Sequence, residues 1–205
     1  MSDSKKLVDF ITVSERLECE PRLTHMSDGK NQTVASHSWN MANMAIALYP
    51  YLETHVDMAR VLQLCILHDL PEAVAHDVPL HQQTASVKKQ KHNDEQKAIQ
   101  MFDDLLNDKN IRSLFDEYEA RQTPESRLVK LLDILDTGVS HLCAHDLSYV
   151  GTYNDNFYWK LFFSKEFADS FDVEPILKKV YNEIRDRVAK RLKQEQGIDV
   201  EIFYN

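Results

Sequence analysis

Apolar residues recur every three or four positions along most of this 205-residue chain, which is the period of an amphipathic α-helix. The periodicity predicts helices over residues 5–19, 33–49, 57–69, 86–107, 111–120, from 124 to at least 135, and 173–196. Polar and turn-forming residues predict loops over 21–33 and 70–85, the second with one short helical turn. Because only 4 glycines and 6 prolines are present to form tight turns, the sequence predicts an all-α fold.

Candidate chemistry lies where these apolar runs are interrupted. The third predicted helix ends in His68 and Asp69, and an imidazole nitrogen and a carboxylate oxygen both suit a first-row divalent cation. His37 lies in the first turn of the second helix. Asp133 interrupts the helix after Pro124, which is apolar almost all round and therefore predicted to be buried, and a buried carboxylate needs a partner or a cation. Two imidazoles and two carboxylates would give one divalent ion four protein ligands.

Each of these residues also has a purely structural interpretation. His68 and Asp69 could form a polar helix end, His37 a helix cap or surface histidine, and Asp133 a buried, hydrogen-bonded carboxylate. The loop after the His-Asp pair favours the chemical interpretation, because it concentrates acidic and imidazole side chains: Glu72, His76, Asp77 and His81. A solvated polar loop is the alternative for this segment.

The composition indicates one globular domain, predicted to span residues 1–205. The net charge of −9, without a basic tract, argues against duplex nucleic acid as a partner. Three cysteines without a CxxC spacing indicate neither a disulfide framework nor a zinc–thiolate site. Neither a signal peptide nor a run of about 20 apolar residues is readable, so the sequence predicts a cytoplasmic protein without a membrane partner.

The order of His37, the His-Asp pair and Asp133 resembles that of the HD-domain metal-dependent phosphohydrolases. Four segments are similar to the family motifs V-[AS]-E-H-S, I-x-H-D-x-x-E, D-[LTV]-P and L-V-K-x-x-D: residues 34–38, 66–72, 77–79 and 128–133. The chain is most similar to the bacterial 5′-deoxynucleotidase-like subgroup. Its members are compact helical bundles around a central metal, are commonly dimeric, and release phosphate from deoxynucleoside monophosphates.

The resemblance implies a role for each matching residue. It implies one set of metal ligands: His37, His68, Asp69 and Asp133. Glu72 would be the general acid/base, and Asp77 would orient water or contact the substrate. Arg22 would bind the substrate phosphate, for which a bidentate guanidinium is suited. The ion would be Mn²⁺, Co²⁺, Zn²⁺, Ni²⁺ or Mg²⁺.

Three positions depart from the family pattern. Ser36 stands where the family has an acidic residue, and His76 where glycine is usual. Leu23 stands where the subgroup has an aromatic residue beside the arginine, which helps to select deoxyribose. The ligand set is unaffected by Ser36, whereas Leu23 leaves the sugar preference open.

The implied function is a 5′-nucleotidase that acts on (deoxy)nucleoside 5′-monophosphates in nucleotide metabolism. One alternative is a dNTP triphosphohydrolase, which needs more cations for a longer phosphate tail. Lys88, Lys89 and Lys91 could supply them, but they are interpreted as a solvated helix face. A second alternative is a non-catalytic, nucleotide-binding regulator, against which Glu72 and Asp77 argue because a structural metal site does not need them.

Aromatic residues are concentrated in segment 155–163, which is interpreted as part of the core or as a subunit interface. The last predicted helix, 173–196, carries apolar residues at intervals of four, which form a packing stripe. Together with the habit of the similar family, these two features predict a homodimer.

Overall fold

The computed structural model describes residues 3–151 and 156–203, and the all-α prediction is confirmed. Within these ranges the α-helices are α1 Asp3–Ser14, α2 Val34–Leu48, α3 Met58–Leu67, α4 Glu72–Ala75, α5 Ala85–Leu106, α6 Asn110–Ala120, α7 Pro124–Cys143, α8 Ser148–Gly151, α9 Phe157–Phe162, α10 Lys165–Asp169 and α11 Pro175–Gln196. Single 3₁₀ turns occupy Glu15–Glu18, Tyr49–Tyr51, Leu80–Gln82, Ser170–Val173 and Val200–Phe203. None of the helices described is both long and apolar enough to span a bilayer.

The predicted loop 21–33 is wrong in part, because it forms an antiparallel hairpin of two strands, β1 Pro21–His25 and β2 Asn31–Thr33. The strands flank the predicted turn, where Gly29 has a φ of +81°, a conformation that favours glycine. Strands of five and three residues are too short to show a clear alternation of apolar and polar positions. The hairpin places Arg22 on β1 and leads directly into α2.

Side-chain caps fix the starts of the helices that carry the candidate site. The Thr33 hydroxyl accepts a hydrogen bond from the Ser36 N–H at 3.1 Å, and the Thr33 N–H donates to Ser36 Oγ at 3.0 Å. Such a capping box usually has Glu or Gln at its third position. Ser36 Oγ accepts the Thr33 N–H as a Glu or Gln side chain would. This bond explains how a serine can stand where the family has an acidic residue. The Asp57 and Thr123 side chains accept hydrogen bonds from backbone N–H groups at the starts of α3 and α7.

Two hydrophobic cores pack the helices. The larger core joins α2, α3, α7, α9 and α11 and includes buried aromatic side chains from segment 155–163: Trp159, Phe162 and Phe163. For these three residues the interpretation as core is confirmed, while residue 155 lies outside the described residues. The smaller core joins α4, α5 and α6 and includes Phe102. Leu67, at the end of α3, packs against both cores. The next two residues, His68 and Asp69, therefore lie where the two cores meet.

Candidate metal centre and substrate cavity

Three ligand-type side chains meet where the start of α2 approaches the end of α3. His37 comes from the first turn of α2, and His68 and Asp69 follow α3 directly. One ligand atom from each lies within 4.8 Å of the others. His68 Nε2 is 3.1 Å, and His37 Nε2 3.8 Å, from Asp69 Oδ2. This spacing suits one cation held between the three side chains.

Asp133 reaches the same place from α7. Its Oδ1 lies 3.3 Å from His37 Nε2, while its Oδ2 accepts hydrogen bonds from Lys130 Nζ at 2.7 Å and from the Tyr118 hydroxyl at 3.3 Å. The Asp133 side chain is 17% exposed rather than fully buried, although the helix around it is buried as predicted. The structure therefore brings together all four side chains that the sequence pattern singled out.

The hydrogen bonds of the two histidines leave the same ring nitrogen of each for a metal. His37 Nδ1 lies 2.6 Å from Asp136 Oδ2, and His68 Nδ1 lies 3.0 Å from the Cys65 carbonyl oxygen. Both Nε2 atoms are buried and face carboxylate oxygens, that of Asp133 at 3.3 Å and that of Asp69 at 3.1 Å, but neither contact among the described residues has the geometry of a hydrogen bond. Buried polar atoms are rarely left unpaired, and a metal-bound histidine usually pairs its other nitrogen with a carboxylate or carbonyl. These residues therefore fit a divalent ion.

Asp136 joins α7 to α2 and to the hairpin. It is buried, and besides its contact with His37 it accepts hydrogen bonds from Gln32 Nε2 at 2.8 Å and from Asn40 Nδ2. Burial opposes ionisation, but these bonds outweigh it and hold the pKa of Asp136 below its usual value. Asp136 was not singled out from the sequence, although it lies one helical turn after Asp133, at the end of the same apolar run.

Arg22 places a positive charge against the two carboxylates. Its Nη1 lies 3.2 Å from Asp69 Oδ2, and its Nη2 lies 3.9 Å from Asp133 Oδ1. Burial opposes the ionisation of both aspartates. The charges of His68 and Arg22 nevertheless hold the pKa of Asp69 well below its usual value, and Lys130 contributes most to the same effect on Asp133. Both carboxylates are therefore ionised and available to a cation at neutral pH.

Glu72 begins α4 and is buried beside this group. Its Oε1 accepts a hydrogen bond from Lys91 Nζ at 2.9 Å, whereas its Oε2 has no partner among the described residues. Burial and the charge of Asp69 raise the pKa of Glu72 to about 8, although Lys91 opposes the shift. The prediction that Lys91 lies on a solvated helix face is wrong, because its side chain is only 18% exposed and also bonds Glu95 at 2.5 Å.

Asp77 also borders the cavity beside these groups, on a loop that Glu20 holds in place. The Asp77 N–H donates to Glu20 Oε1 at 3.0 Å, and Glu20 Oε2 lies 2.9 Å from His76 Nδ1. His76 has a φ of +64°, a backbone conformation that explains why glycine is usual there. Glu20 was not singled out from the sequence, since nothing local indicates that it reaches residues more than fifty positions away.

A cavity of about 630 Å³ borders the candidate metal centre, a volume in the range of small-molecule sites. Its lining includes five charged residues of the candidate site: Arg22, Asp69, Glu72, Asp77 and Asp133. Uncharged lining side chains include Ile134, Thr137, His141, Tyr149, Tyr158 and Leu161, and further charged ones include Lys88, Glu95, Glu119 and Arg121. Leu23 lines the cavity next to Arg22. His81 is not among the ligand-type residues that cluster in the described part of the chain, and its Nδ1 lies 2.8 Å from the Tyr158 hydroxyl.

The comparison with protein families agrees with this arrangement. A sequence model of the HD domain matches residues 14–168, which is most of the chain. The chain belongs to the HD domain family. Its membership implies a divalent metal, which is consistent with the three clustered ligand-type residues of α2 and α3.

Individual HD-domain relatives are similar over part of their length. The chain is 29% identical over 135 residues to "5′-deoxynucleotidase HDDC2" of Danio rerio, covering 63% of this chain and 65% of the relative. It is 27% identical over 139 residues to "5′-deoxynucleotidase hdd1" of Schizosaccharomyces pombe, covering 63% and 68%. The chain thus spans about two thirds of the length of the curated relatives that it matches.

Solved structures share the HD-domain fold. A predicted metal-dependent phosphohydrolase from Magnetospirillum magnetotacticum superposes with a TM-score of 0.74 at 23% identity, covering 93% of this chain and 94% of that one. A conserved hypothetical protein from Pyrococcus furiosus superposes with a TM-score of 0.64 at 26% identity, covering 87% and 99%. The helical bundle of this chain is therefore that of the family.

Proposed function

We propose that this HD-domain protein is a metal-dependent phosphohydrolase, a 5′-nucleotidase that releases phosphate from (deoxy)nucleoside 5′-monophosphates. The observation that carries the proposal is the pair of buried, unpaired Nε2 atoms of His37 and His68 next to the carboxylates of Asp69 and Asp133. The names of the relatives, which are 5′-deoxynucleotidases, support the same reaction.

The ion would be held by the four side chains His37, His68, Asp69 and Asp133. The two imidazoles favour Zn²⁺, Ni²⁺ or Co²⁺, and the two carboxylates also admit Mn²⁺ or Mg²⁺. When bound, such an ion supplies a Lewis acid that polarises a phosphoryl oxygen and acidifies water.

Arg22 binds the substrate phosphate in this proposal. Its guanidinium lies against Asp69 and Asp133, and although burial opposes its charge, these carboxylates raise its pKa and keep it protonated. Two parallel N–H groups can bind two phosphate oxygens. Because the same contact meets the negative charge that develops as the phosphorus–oxygen bond breaks, Arg22 stabilises the transition state as well as the bound substrate.

Glu72 moves the proton. A carboxyl group with a pKa of about 8 exchanges a proton readily near neutral pH, as a general acid or base requires. Lys91 holds Oε1, which leaves Oε2 for the attacking water or the leaving oxygen. Asp77, fixed through its backbone by Glu20, orients water or a substrate hydroxyl.

Phosphate release from a panel of nucleotides, with and without each of the five metals, tests this function. We expect orthophosphate from monophosphates when metal is present and none after chelation. Inorganic triphosphate from dNTPs would instead support a triphosphohydrolase, and metal binding without any product would support a regulator.

Asp69→Ala should lose both metal and activity, while the exposed Asp186→Ala serves as the matched control. Full metal occupancy in Asp69→Ala would refute the ligand set.

We further propose a single HD-type domain over residues 1–205, which acts in the cytoplasm as a homodimer on a small nucleotide, without duplex nucleic acid or a membrane as partner. Trp159, Phe162 and Phe163, which suggested a subunit interface, are buried within the chain, so a dimer would use other residues. Light scattering at micromolar concentration should give about twice the 23.9 kDa of one chain. The mass of one chain would count against the dimer.

A further inference from the structure

The proposed reaction leaves part of the cavity unused. On α7, Thr137 and His141 follow Asp133 at intervals of four residues, so all three share one face of the helix, and all three line the cavity. Eight residues at 1.5 Å each place His141 about 12 Å along the helix from Asp133. The cavity is therefore long enough to hold a phosphate at one end and a second chemical group at the other.

Two tyrosines that border this second end are held in place from outside it. The Tyr149 hydroxyl accepts a hydrogen bond from the His25 N–H at 3.3 Å, and the two rings stack with centroids 3.8 Å apart. The Tyr158 hydroxyl lies 2.8 Å from His81 Nδ1. The hairpin and the 80–82 turn thus fix both aromatic rings, and fixed rings are suited to stacking on a flat ligand.

His141 brings a polar group to this end of the cavity. Its side chain is buried, with Nδ1 3.4 Å from the Tyr149 hydroxyl and Nε2 without a hydrogen-bond partner in the described ranges 3–151 and 156–203. His68 Nε2, at the metal end of the same cavity, is buried and unpaired in the same way. Such an atom is costly to leave unpaired, and an acceptor on a ligand would satisfy it.

The His141 ring is neutral at neutral pH. Burial lowers the pKa of His141 to about 4, although the charge of Asp136 opposes the shift. The tautomer that suits an acceptor on a ligand has the Tyr149 hydroxyl donating to His141 Nδ1 and the ring hydrogen on Nε2. A neutral N–H donor suits a polar but uncharged group rather than a second phosphate, which would need a charged partner.

We propose that this end of the cavity, bounded by His141, Tyr149 and Tyr158, is a subsite for the nucleobase, with His141 Nε2 donating a hydrogen bond to a ring nitrogen or carbonyl oxygen of the base. This inference rests on the proposed nucleotidase function, which puts the phosphate near Arg22. A nucleobase is flat, uncharged and rich in hydrogen-bond acceptors, and it is joined to its phosphate through a sugar that would span the middle of the cavity.

Variants of His141 test the subsite with two substrates. One is a deoxynucleoside 5′-monophosphate, and the other is 2-deoxyribose 5-phosphate, which has the same sugar and phosphate but no base. We expect His141→Leu to lower kcat/KM about 10-fold for the nucleotide, as for the loss of one hydrogen bond, and less than about twofold for the sugar phosphate. His141→Gln retains a side-chain donor and should lose less. The exposed His145→Ala is the matched control and should change neither value.

Calorimetric titration with a deoxynucleoside provides a second measurement that does not depend on hydrolysis. Wild type should bind it, and His141→Leu should bind it about 10-fold more weakly or worse. Equal losses of kcat/KM on both substrates, or nucleoside binding that is absent or independent of His141, would overturn the subsite while nucleotide hydrolysis would still support the nucleotidase. Nucleoside binding that depends on His141, in a protein that hydrolyses no nucleotide, would refute the nucleotidase and leave the base subsite standing. If His141→Leu does not fold by circular dichroism, His141→Gln carries the comparison.

Discussion

The groups around its second ring nitrogen decide what a buried histidine can do in this cavity. In His37 and His68, Nδ1 has a partner and the unpaired Nε2 lies beside ionised carboxylates, which suits a cation. In His141 the same nitrogen has no hydrogen-bond partner among the described residues, and the neighbouring rings of Trp159 and Phe162 are uncharged. The same side chain thus serves two different chemistries, set by its neighbours.

The neutral state of His141 predicts a dependence of stability on pH. Burial lowers its pKa to about 4 in the folded chain, against 6.5 as the ordinary value. Between these values the unfolded chain binds a proton that the folded chain does not, so the free energy of unfolding falls as the pH falls from 6.5 towards 4. The full contribution, present above pH 6.5, is on the order of 3 kcal/mol at most.

Urea unfolding of wild type and His141→Gln at a series of pH values measures this term. Glutamine cannot titrate, so the variant should lose less stability than wild type over this pH interval. The carboxylates titrate in both proteins, and their effect cancels in the difference. Parallel curves for the two proteins would show that His141 is not the titrating group.

The positive φ of His76 predicts that glycine is the better residue there. With φ at 64° and ψ at 154°, His76 occupies a region that costs a side-chain-bearing residue roughly 1–3 kcal/mol. His76→Gly removes this strain, whereas His76→Ala loses the same contact with Glu20 and keeps the strain. After the greater freedom of glycine in the unfolded chain is subtracted, we expect His76→Gly to be more stable than His76→Ala by about 1 kcal/mol. Denaturant midpoints would decide it, and a more stable alanine variant would contradict it.

At the scale of elements, α7 and α5 contribute residues with different roles to the cavity. α7 carries Asp133 towards the metal centre, Asp136 behind His37, and His141 at the base end. α5 packs against α4 and brings Lys91 to Glu72. A change on α7 therefore affects metal and base binding, while a change at this point of α5 affects the proton-transfer group.

Lys91 is expected to be a positioning residue for Glu72. Lys91→Ala should lower kcat by about 10-fold or more, because Glu72 loses the partner that orients it, while KM changes little. Metal affinity should stay the same, since none of the contacts found for Lys91 involves a proposed ligand. Steady-state kinetics together with metal titration separates these effects.

The same helix provides the controls for Lys91. Lys89→Ala changes an exposed lysine of α5 and should leave kcat unchanged. Lys91→Arg keeps the charge and should restore part of the lost rate. Unchanged turnover in Lys91→Ala would mean that Glu72 is oriented by other contacts or takes no part in the reaction.

For the whole molecule, the position of the metal centre between the two hydrophobic cores predicts that metal binding stabilises the fold. An ion at 100 times its dissociation constant adds about 2.7 kcal/mol to the free energy of unfolding. For a chain of this size that corresponds to a rise in Tm of roughly 5–10 °C. Calorimetric scans with Mn²⁺ and with a chelator should show this difference in wild type but not in Asp69→Ala. An equal rise in the variant would point to binding elsewhere.

The features that could be predicted from the sequence are those with local signals. The long helices follow from apolar periodicity. Asp57 and Thr123 are residues that favour a helix start, and in the structure they are the N-caps of α3 and α7. His68, Asp69 and Asp133 could be singled out because each interrupts an apolar run, and the structure places them together with His37.

The features that were missed depend on contacts between distant segments. Lys91 is surrounded by polar residues in sequence, and only the packing of α5 on α4 covers it. The β-hairpin is formed by strands too short to leave a pattern. Asp136 and His141 lie on the same helix as Asp133, but helical spacing alone does not tell which neighbouring element each one meets. Glu20 supports Asp77 across more than fifty residues of chain.

The positions of the two tryptophans allow ligand binding in the cavity to be followed by intrinsic fluorescence, without a label. Trp159 is fully buried with its ring 4.9 Å from that of His141, whereas Trp39 is 68% exposed on α2. A water-soluble quencher such as iodide therefore removes the red-shifted emission of Trp39 and leaves the blue-shifted emission of Trp159. Under that quencher the remaining fluorescence reports on the base end of the cavity, so its occupation can be followed in real time, separately from events at the metal.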